Sequence, residues 1–322
     1  MGTRSPGREG VTTTRRRGSG PAAVALALFG FACAGAGTGT AQVRTPALLV
    51  QTGSLPDRVS ESSGVAVSRR YPGVLWTHND SGHDPLIFAV DSTGALEGTF
   101  DVRGAGARDW EDIALGPCPG AGDRSARCLY LADTGNNTGG RDQVSIWIVR
   151  EPRPPNGHPK RIRKTTRAHR LRIRYRVEHP VDVEALAITP EGDAYLISKG
   201  RHGPIDAYRI RAADIAGHLD ADAPLEVEPW GAAHLGLARP YTISSLVTGA
   251  AVSPDGSTLV VRTYLDLHFY RIGRGLEPAG AACRIGAVEG QGEAVDFLDA
   301  DTLVLTSESL PGRPGSIHRI RC

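Results

Sequence analysis

The stretch that decides the fold is DVEALAITPEGDAYLISKG, residues 182–200. It opens with two carboxylates, continues as an apolar β-prone segment, turns at residues 190–193 and returns as a second apolar strand. Related stretches begin near residues 61, 109, 247 and 292, and they read ESSGVAVSRRYPGVLWTHND, DWEDIALGP followed by CLYLADTGNN, VTGAAVSPDGSTLVVRTY, and GEAVDFLDADTLVLTSE. Five such copies predict the blades of a β-propeller.

The rest of the chain supports an all-β fold. Forty glycines and 22 prolines separate strand-sized runs, and the one short helical pattern covers 212–219. We predict five four-stranded blades, with 224–229 as the last strand of the third. The fifth copy supplies three strands, so the strand at 47–52 would complete its blade and close the ring. The long gap between Ile210 and Ser245 leaves room for a sixth, degenerate blade.

The N-terminus has the pattern of an export signal. Arginines 15–17 precede a short apolar run and then small residues, which predicts a signal peptide over 1–41 and a single propeller domain over 42–322. The run before Cys33 matches a lipoprotein anchor poorly. Removing the leader removes five arginines and one glutamate, so the formal net charge changes from +2 to −2. We therefore expect a secreted protein with no membrane span and no nucleic-acid partner.

Four cysteines remain after the leader, and an even number suits an oxidising compartment. Cys118 and Cys128 flank a loop between two strands of one copy, and Cys283 and Cys322 are the other pair. No CxxC spacing or nearby histidine favours a metal at these positions, so we predict two disulfides.

Basic residues concentrate between 160 and 176. Arginines at 170, 172, 174 and 176 alternate with apolar residues, which places them on one face of a strand. This pattern is typical of a solvated outermost strand protected by charge. It also suits a docking patch for a protein or for an anionic polymer of the cell envelope.

Strand direction brings the polar residues to one end of the ring. In a meander blade, the start of the innermost strand and the end of the second strand lie on the same face. Five strand starts fall in one column, at Ser63, Glu111, Glu184, Thr248 and Glu293. The ends of the second strands supply a second set of polar residues, namely His78, Asn79, Asp80, Asp133, Lys199, Tyr264 and Glu308.

Three glutamates facing one axis repel each other unless protons or a cation intervene. Carboxylate and amide oxygens suit a hard cation, so Ca²⁺ is the first candidate and Mg²⁺ the second. Zn²⁺ is disfavoured because histidine and cysteine are not arranged for it. The alternative is architectural: a repeated polar residue at this position can simply bond the backbone of the next blade.

The acid–apolar strand openings and the SPDG turn at 253–256 resemble secreted bacterial propellers of the esterase-like phytase, gluconolactonase (senescence-marker) and NHL-type groups. In lactonase-like members, a central divalent cation is held by Glu, Asn and Asp from the inner strands. The resemblance therefore implies a metal site at Glu111, Glu184 and Glu293, with Asp133 or Asn136 assisting.

Three functions remain open at this point, and with them the question of whether the chain is an enzyme. The first is a secreted, monomeric propeller that binds a cation and a small-molecule or cell-envelope ligand, with Ser63, Asn79, Asp80, Lys199, Tyr264 and Glu308 as ligand contacts. The second is a metal-dependent hydrolase of esters, lactones or phosphoesters, with His78 or His202 as general base. The third is a docking scaffold that uses the arginine-rich strand. Because no dinucleotide fingerprint, Walker loop, GxSxG or HExxH motif is present, we expect no organic cofactor.

Overall fold

Short β-prone runs separated by turn residues form the fold, and most runs pair with the next one along the chain. The computed structural model describes residues 1–2, 43–123, 125–155, 157–230, 242 and 245–322. Their strands lie in the unit Ala41–Cys322 and form five sheets arranged as a five-bladed β-propeller, which confirms the predicted fold. The predicted signal peptide lies outside the described residues, apart from Met1 and Gly2, and so does Cys33.

Each of the first two blades is built on an antiparallel meander of four strands. Two strands precede them: β1 (Val43–Arg44) and β2 (Leu48–Ser54). Blade one contains β3 (Ser62–Val67), β4 (Leu75–Asn79), β5 (Leu86–Val90) and β6 (Leu96–Asp101). Blade two contains β7 (Trp110–Pro117), β8 (Arg127–Asp133), β9 (Val144–Arg150) and β11 (His169–Tyr175). The intervening β10 (Ile162–Lys164) returns to blade one and pairs in parallel with β6.

The other three blades follow in chain order. Blade three contains β12 (Val183–Ile188), β13 (Ala194–Ser198) and β14 (Ala207–Ile210). It is followed by α1 (Ala212–His218), at the predicted position, and by β15 (Leu225–Val227). Blade four contains β16 (Val247–Val252), β17 (Thr258–Thr263), β18 (Asp266–Ile272), β19 (Leu276–Pro278) and β20 (Ala282–Arg284). Blade five contains β21 (Gln291–Phe297), β22 (Thr302–Glu308) and β23 (Ser316–Arg321).

The N-terminal segment closes the ring, as predicted. Strand β2 pairs antiparallel with β23 and supplies the fourth strand of blade five. Just before it, β1 pairs in parallel with β20 of blade four. Residues 43–54 therefore join the last two blades, and the outer edge of blade five is paired rather than open.

Two disulfides confirm the predicted cysteine pairs. Cys118–Cys128 closes the hairpin between β7 and β8, with a Cα–Cα distance of 4.9 Å. Cys283–Cys322 joins β20 of blade four to the residue after β23, with a Cα–Cα distance of 6.0 Å. Disulfides are typical of oxidising compartments. In the described part of the chain, no helix has the length and apolarity needed to cross a membrane.

The arginine-rich strand β11 is not outermost, which corrects the sequence-based prediction. Strand β15 covers it by parallel pairing over Ile173–Tyr175, so most of the segment predicted to complete blade three belongs to the sheet of blade two. Only Pro229, after β15, forms a β-bridge to Tyr208 of blade three. In β15, Glu226 binds Arg174 at 3.0 Å and Arg176 at 3.4 Å. Half of the four-arginine row is thus paired with a carboxylate of the covering strand.

Apolar packing occurs between blades. The buried hydrophobic residues form five clusters, and each cluster joins two adjacent blades. The first strands are consequently covered on both faces, and three of them, β3, β12 and β16, are buried along their whole length. The five first strands β3, β7, β12, β16 and β21 pack in a closed order around the ring axis.

At the end of the ring that carries the tight turns, a cavity of about 150 Å³ follows the axis. Asp296 lines it and accepts a hydrogen bond from Val67 N of blade one at 2.6 Å. Burial raises the pKa of Asp296 to about 6, although Arg69 and the backbone N–H donors of Val67 and Phe297 act in the opposite direction. The carboxylate therefore joins blades five and one while being held where its charged form is disfavoured.

Asp296 predicts a specific pH dependence of stability. Between its ordinary pKa of 3.8 and about 6, the folded protein binds a proton that the unfolded protein releases, so the free energy of unfolding falls as pH rises. A fully buried carboxyl with a pKa shifted this far would change the free energy of unfolding by about 3 kcal/mol. Because Asp296 is only partly buried, we expect a change of about 1–2 kcal/mol. Urea unfolding at pH 4, 5, 6 and 7 should show this loss in the wild type and a flatter profile in Asp296→Asn. Asp301→Asn, in an exposed turn of the same blade, should keep the wild-type profile; equal slopes in all three proteins would contradict the assignment.

Candidate metal centre

Each blade carries a β-bulge at the same place in its first strand. The pairing register shifts between residues 62 and 64, 110 and 112, 183 and 185, 247 and 249, and 292 and 294. A bulge leaves one residue unpaired and redirects its side chain. The five bulged residues are Ser63, Glu111, Glu184, Thr248 and Glu293, and all five are buried.

Two of these bulges help to build an acidic pocket beside the ring axis. We use the name acidic pocket for Asp80, Asp109, Glu111, Asp182 and Glu184. Their carboxylate oxygens form two sets, Asp80–Asp109–Glu111 and Glu111–Asp182–Glu184, and within each set the oxygens lie within 4.8 Å of one another. The second set is buried, whereas Asp80 and Asp109 are partly exposed.

The loop after β8 holds these carboxylates in place. Asn136 N donates to Asp182 Oδ1 at 2.6 Å, and Gly135 N donates to the Asp109 carbonyl oxygen at 3.2 Å. A β-carbon at Gly135 would overlap Glu111 Oε1 and lie 2.5 Å from the carboxyl carbon of Asp109. Only glycine therefore lets this loop approach the two carboxylates so closely.

Burial and mutual repulsion raise the pKa values of the pocket. The pKa of Glu111 is raised well above its usual range by burial, and then by Glu184, Asp80 and Asp109. Burial raises the pKa of Glu184 to about 8, although Lys199 opposes the change. Burial and then Asp80 raise the pKa of Asp109 to about 6. Such carboxylates share protons unless a cation neutralises them.

Lys199 is the cation that blade three itself provides. It follows β13 and lies 2.7 Å from Glu184 Oε1, and both side chains are less than a tenth exposed. Burial lowers the pKa of Lys199, but Glu184, Tyr264 and Glu111 together raise it more, so the net pKa is raised. One ammonium group faces five carboxylates, so the pocket stays strongly acidic.

The remaining predicted acids lie on the blade-five side of the axis. Glu293 Oε1 accepts hydrogen bonds from Gln291 Nε2 at 3.0 Å and from Tyr264 Oη at 3.3 Å. Glu308 ends β22, and burial followed by Glu293 and Asp80 raises its pKa to about 8. Glu293 is thus separate from the two sets that contain Glu111, and the three glutamates of the column do not meet at one point.

Several predicted contacts serve the scaffold instead. Ser63 Oγ donates to the Glu111 carbonyl oxygen of the next blade at 2.7 Å, which is the architectural role considered for the column. Asn79 Oδ1 accepts a hydrogen bond from Glu61 N at 3.1 Å. Asp133 binds Arg141 at 2.9 Å. The Asn136 side chain bonds Arg141 N at 2.9 Å and Val181 O at 3.2 Å, so its backbone rather than its amide serves the pocket.

Neither predicted general base lies in the acidic pocket. His78 has no exposed surface, packs against Trp110 with ring centroids 5.6 Å apart, and has its pKa lowered to about 4 by burial. His202 is exposed, and its Nε2 lies 2.9 Å from the Asn137 carbonyl oxygen. A substrate at the ring axis would meet carboxyl groups, Lys199 and Tyr264 rather than an imidazole.

Sequence reasoning missed Asp109 and Asp182 as site residues. Each lies two positions before a bulged glutamate, so an Asp-x-Glu spacing occurs at 109–111 and again at 182–184. A regular strand places residues i and i+2 on the same face, and although the bulge at each glutamate interrupts that alternation, the two acids of each pair still meet. The repeated spacing was the available signal.

The donor set fits a hard divalent cation. Oxygens that bind one Ca²⁺ at about 2.4 Å can be at most about 4.8 Å apart, which matches both oxygen sets. Among the described residues, Glu111 Oε1 and Asp182 Oδ2 are buried without a hydrogen-bond partner, and an unpaired buried carboxylate oxygen is costly. Coordination to a cation would satisfy both atoms.

Comparison with known proteins gives similarity only among solved structures. No protein-family model matches the chain, and no curated protein matches it. The PQQ-bound aldose sugar dehydrogenase from Streptomyces coelicolor is 15% identical with a TM-score of 0.46, over 86% of this chain and 99% of that one. The hydrazine synthase of Kuenenia stuttgartiensis (17%, TM-score 0.38) and a mitotic checkpoint complex (14%, 0.35) match over 81% and 80% of this chain and 59% and 60% of theirs.

Proposed function

We propose that this chain is a secreted, monomeric β-propeller that binds a divalent cation in the acidic pocket. Ca²⁺ is the first candidate and Mg²⁺ the second, because all the donors are oxygens. The cation would in turn bind a small-molecule or cell-envelope ligand at the mouth of the ring. The two disulfides support an extracytoplasmic location.

One observation carries the proposal. Glu111 and Asp182 are 2% and 3% exposed, and each keeps one buried oxygen unpaired beside other carboxylates. Without a bound cation this arrangement destabilises the fold, because desolvation and like-charge repulsion both oppose it. A bound cation reverses the sign of both contributions.

Calcium should therefore stabilise the protein. At a concentration about 100 times Kd, binding contributes about 2.7 kcal/mol, which for a chain of this size corresponds to a rise in Tm of about 5–10 °C. We expect this rise when melting is followed in EDTA and then in Ca²⁺, and we expect Asp182→Asn to lose most of it.

Asp84→Asn is the matched control, since Asp84 is an exposed acid in the loop that follows Asp80. This variant should keep the full calcium response. The same Tm for the wild type in EDTA and in saturating Ca²⁺ or Mg²⁺ would sink the proposed cation site.

A second candidate function, metal-dependent hydrolysis of esters, lactones or phosphoesters, is supported by Glu308. Without a cation, its raised pKa of about 8 keeps it protonated at neutral pH, as a general acid requires. A bound cation would supply a water of lowered pKa. Turnover of aryl esters, lactones or aryl phosphates in Ca²⁺ should fall about 100-fold or more in Glu308→Gln. Equal turnover in that variant would remove Glu308 from the reaction, and no turnover in the wild type would leave binding as the function.

A further inference from the structure

We infer that the acidic pocket holds two divalent cations, with Glu111 as the carboxylate that bridges them. This inference rests on the proposed cation-binding function. It adds a second cation site and assigns a different role to each cation. The five oxygens do not form one set: Asp80 and Asp109 group with Glu111 on one side, and Asp182 and Glu184 group with it on the other.

Distances favour two ions over one. A single ion at about 2.4 Å from every ligand needs all its donor oxygens within about 4.8 Å of each other. The pocket meets that limit separately for each trio, and Glu111 is the member that they share. Two cations on either side of one carboxylate would lie about 3.5–4 Å apart, the usual spacing of two-metal sites.

The charge balance of the pocket also favours two cations. Metal ligands are deprotonated, so the five carboxylates of a metal-bound pocket would carry five negative charges, and the ammonium group of Lys199 would offset one of them and leave four. One divalent cation would leave two of them uncompensated in a largely buried site, and two cations compensate all four. Each trio also contains a buried oxygen that lacks a partner among the described residues, since Glu111 Oε1 lies on the Asp109 side at Gly135 and Asp182 Oδ2 belongs to the other trio.

The two sites differ in access. Asp182 and Glu184 are buried at 3% and 2% exposure, so the inner cation would be enclosed by protein. Asp80 and Asp109 are partly exposed at the mouth of the ring, so the outer cation would keep coordination positions for water or for a ligand oxygen. The inner ion would be structural, and the outer ion would bind the ligand.

Manganese titration tests both parts with the metal alone as probe. Protein stripped with EDTA should bind two equivalents of Mn²⁺ by calorimetry, and at two equivalents the electron paramagnetic resonance spectrum should show a spin-coupled pair. Asp80→Asn and Asp182→Asn should each bind one equivalent and show no coupling. Asp84→Asn should match the wild type.

The outcomes separate the two proposals. One equivalent in the wild type overturns the second site and leaves the cation-binding function in place. Two equivalents without coupling overturn the Glu111 bridge. No binding overturns both. The wild-type result needs no variant, so a variant that fails to fold, as judged by circular dichroism, does not remove the test.

Discussion

Replacing Arg262 by alanine is expected to lower the free energy of unfolding by about 3–5 kcal/mol, the range for breaking a buried ion pair. Arg262 lies in β17 with no exposed surface. Its guanidinium pairs with the buried carboxylate of Glu289 and donates to the backbone oxygens of Ala294 at 2.6 Å and Thr306 at 3.2 Å. The variant would leave Glu289 charged and buried beside His318, 3.4 Å away. Urea unfolding followed by circular dichroism measures the loss.

Arg271→Ala is the matched control, because Arg271 lies in the same blade but is 70% exposed, and its partner Glu277 is 3.7 Å away and equally exposed. This surface pair should contribute less than about 1 kcal/mol. The double variant Arg262→Met with Glu289→Leu should recover part of the stability, since it removes both buried charges. A loss below about 1 kcal/mol for Arg262→Ala would contradict the role assigned to the pair.

Removing the disulfide between Cys283 and Cys322 should cost about 4 kcal/mol by loop-closure entropy. The two cysteines are 39 residues apart, and the loop between them contains β21, β22 and β23, so the bond ties these three strands of blade five to blade four. We expect the double variant Cys283→Ser with Cys322→Ser to unfold at lower urea concentration, with an unchanged slope only if the ring still unfolds as one unit.

The other disulfide supplies the comparison. Cys118 and Cys128 are 10 residues apart, which corresponds to about 3 kcal/mol, so its removal should cost about 1 kcal/mol less. The reverse order, or no loss on removing the bond between Cys283 and Cys322, would show that the seam between blades four and five is held by β1 and β2 without the disulfide.

The architecture could be predicted because each blade carries its own local signals. Alternation of strands and turns, the five related openings and the strand missing from the fifth copy sufficed for the blade number and for closure by β2. The position of β15 could not be predicted. Its pairing with β11 is parallel and joins residues about 50 positions apart, and no turn between adjacent strands specifies such a contact.

Of the candidate site, the sequence predicted the residues that align at the starts of the first strands. Counting along the first strands was enough to align Glu111 with Glu184, but bulges are not visible in a pattern of alternating residues. Asp109 and Asp182 precede the glutamates by two positions, and residues two apart share a face only in a regular strand. Because a bulge at each glutamate interrupts the alternation, their meeting is known only from the structure. The sequence also does not show which acids are already paired with a cationic side chain. Asp133 has a suitable residue type and position for the site, but it forms an ion pair with Arg141.

The bulges also explain how the side chains that face the ring axis can be exchanged. A bulged residue takes no part in the ladder of its sheet, so its side chain can be replaced without altering strand pairing. The ring presents five such positions to one axis, occupied here by Ser63, Thr248 and three glutamates. The site is therefore a set of exchangeable places on a fixed frame, and a new ligand preference could arise there by single substitutions while the blades stay as they are.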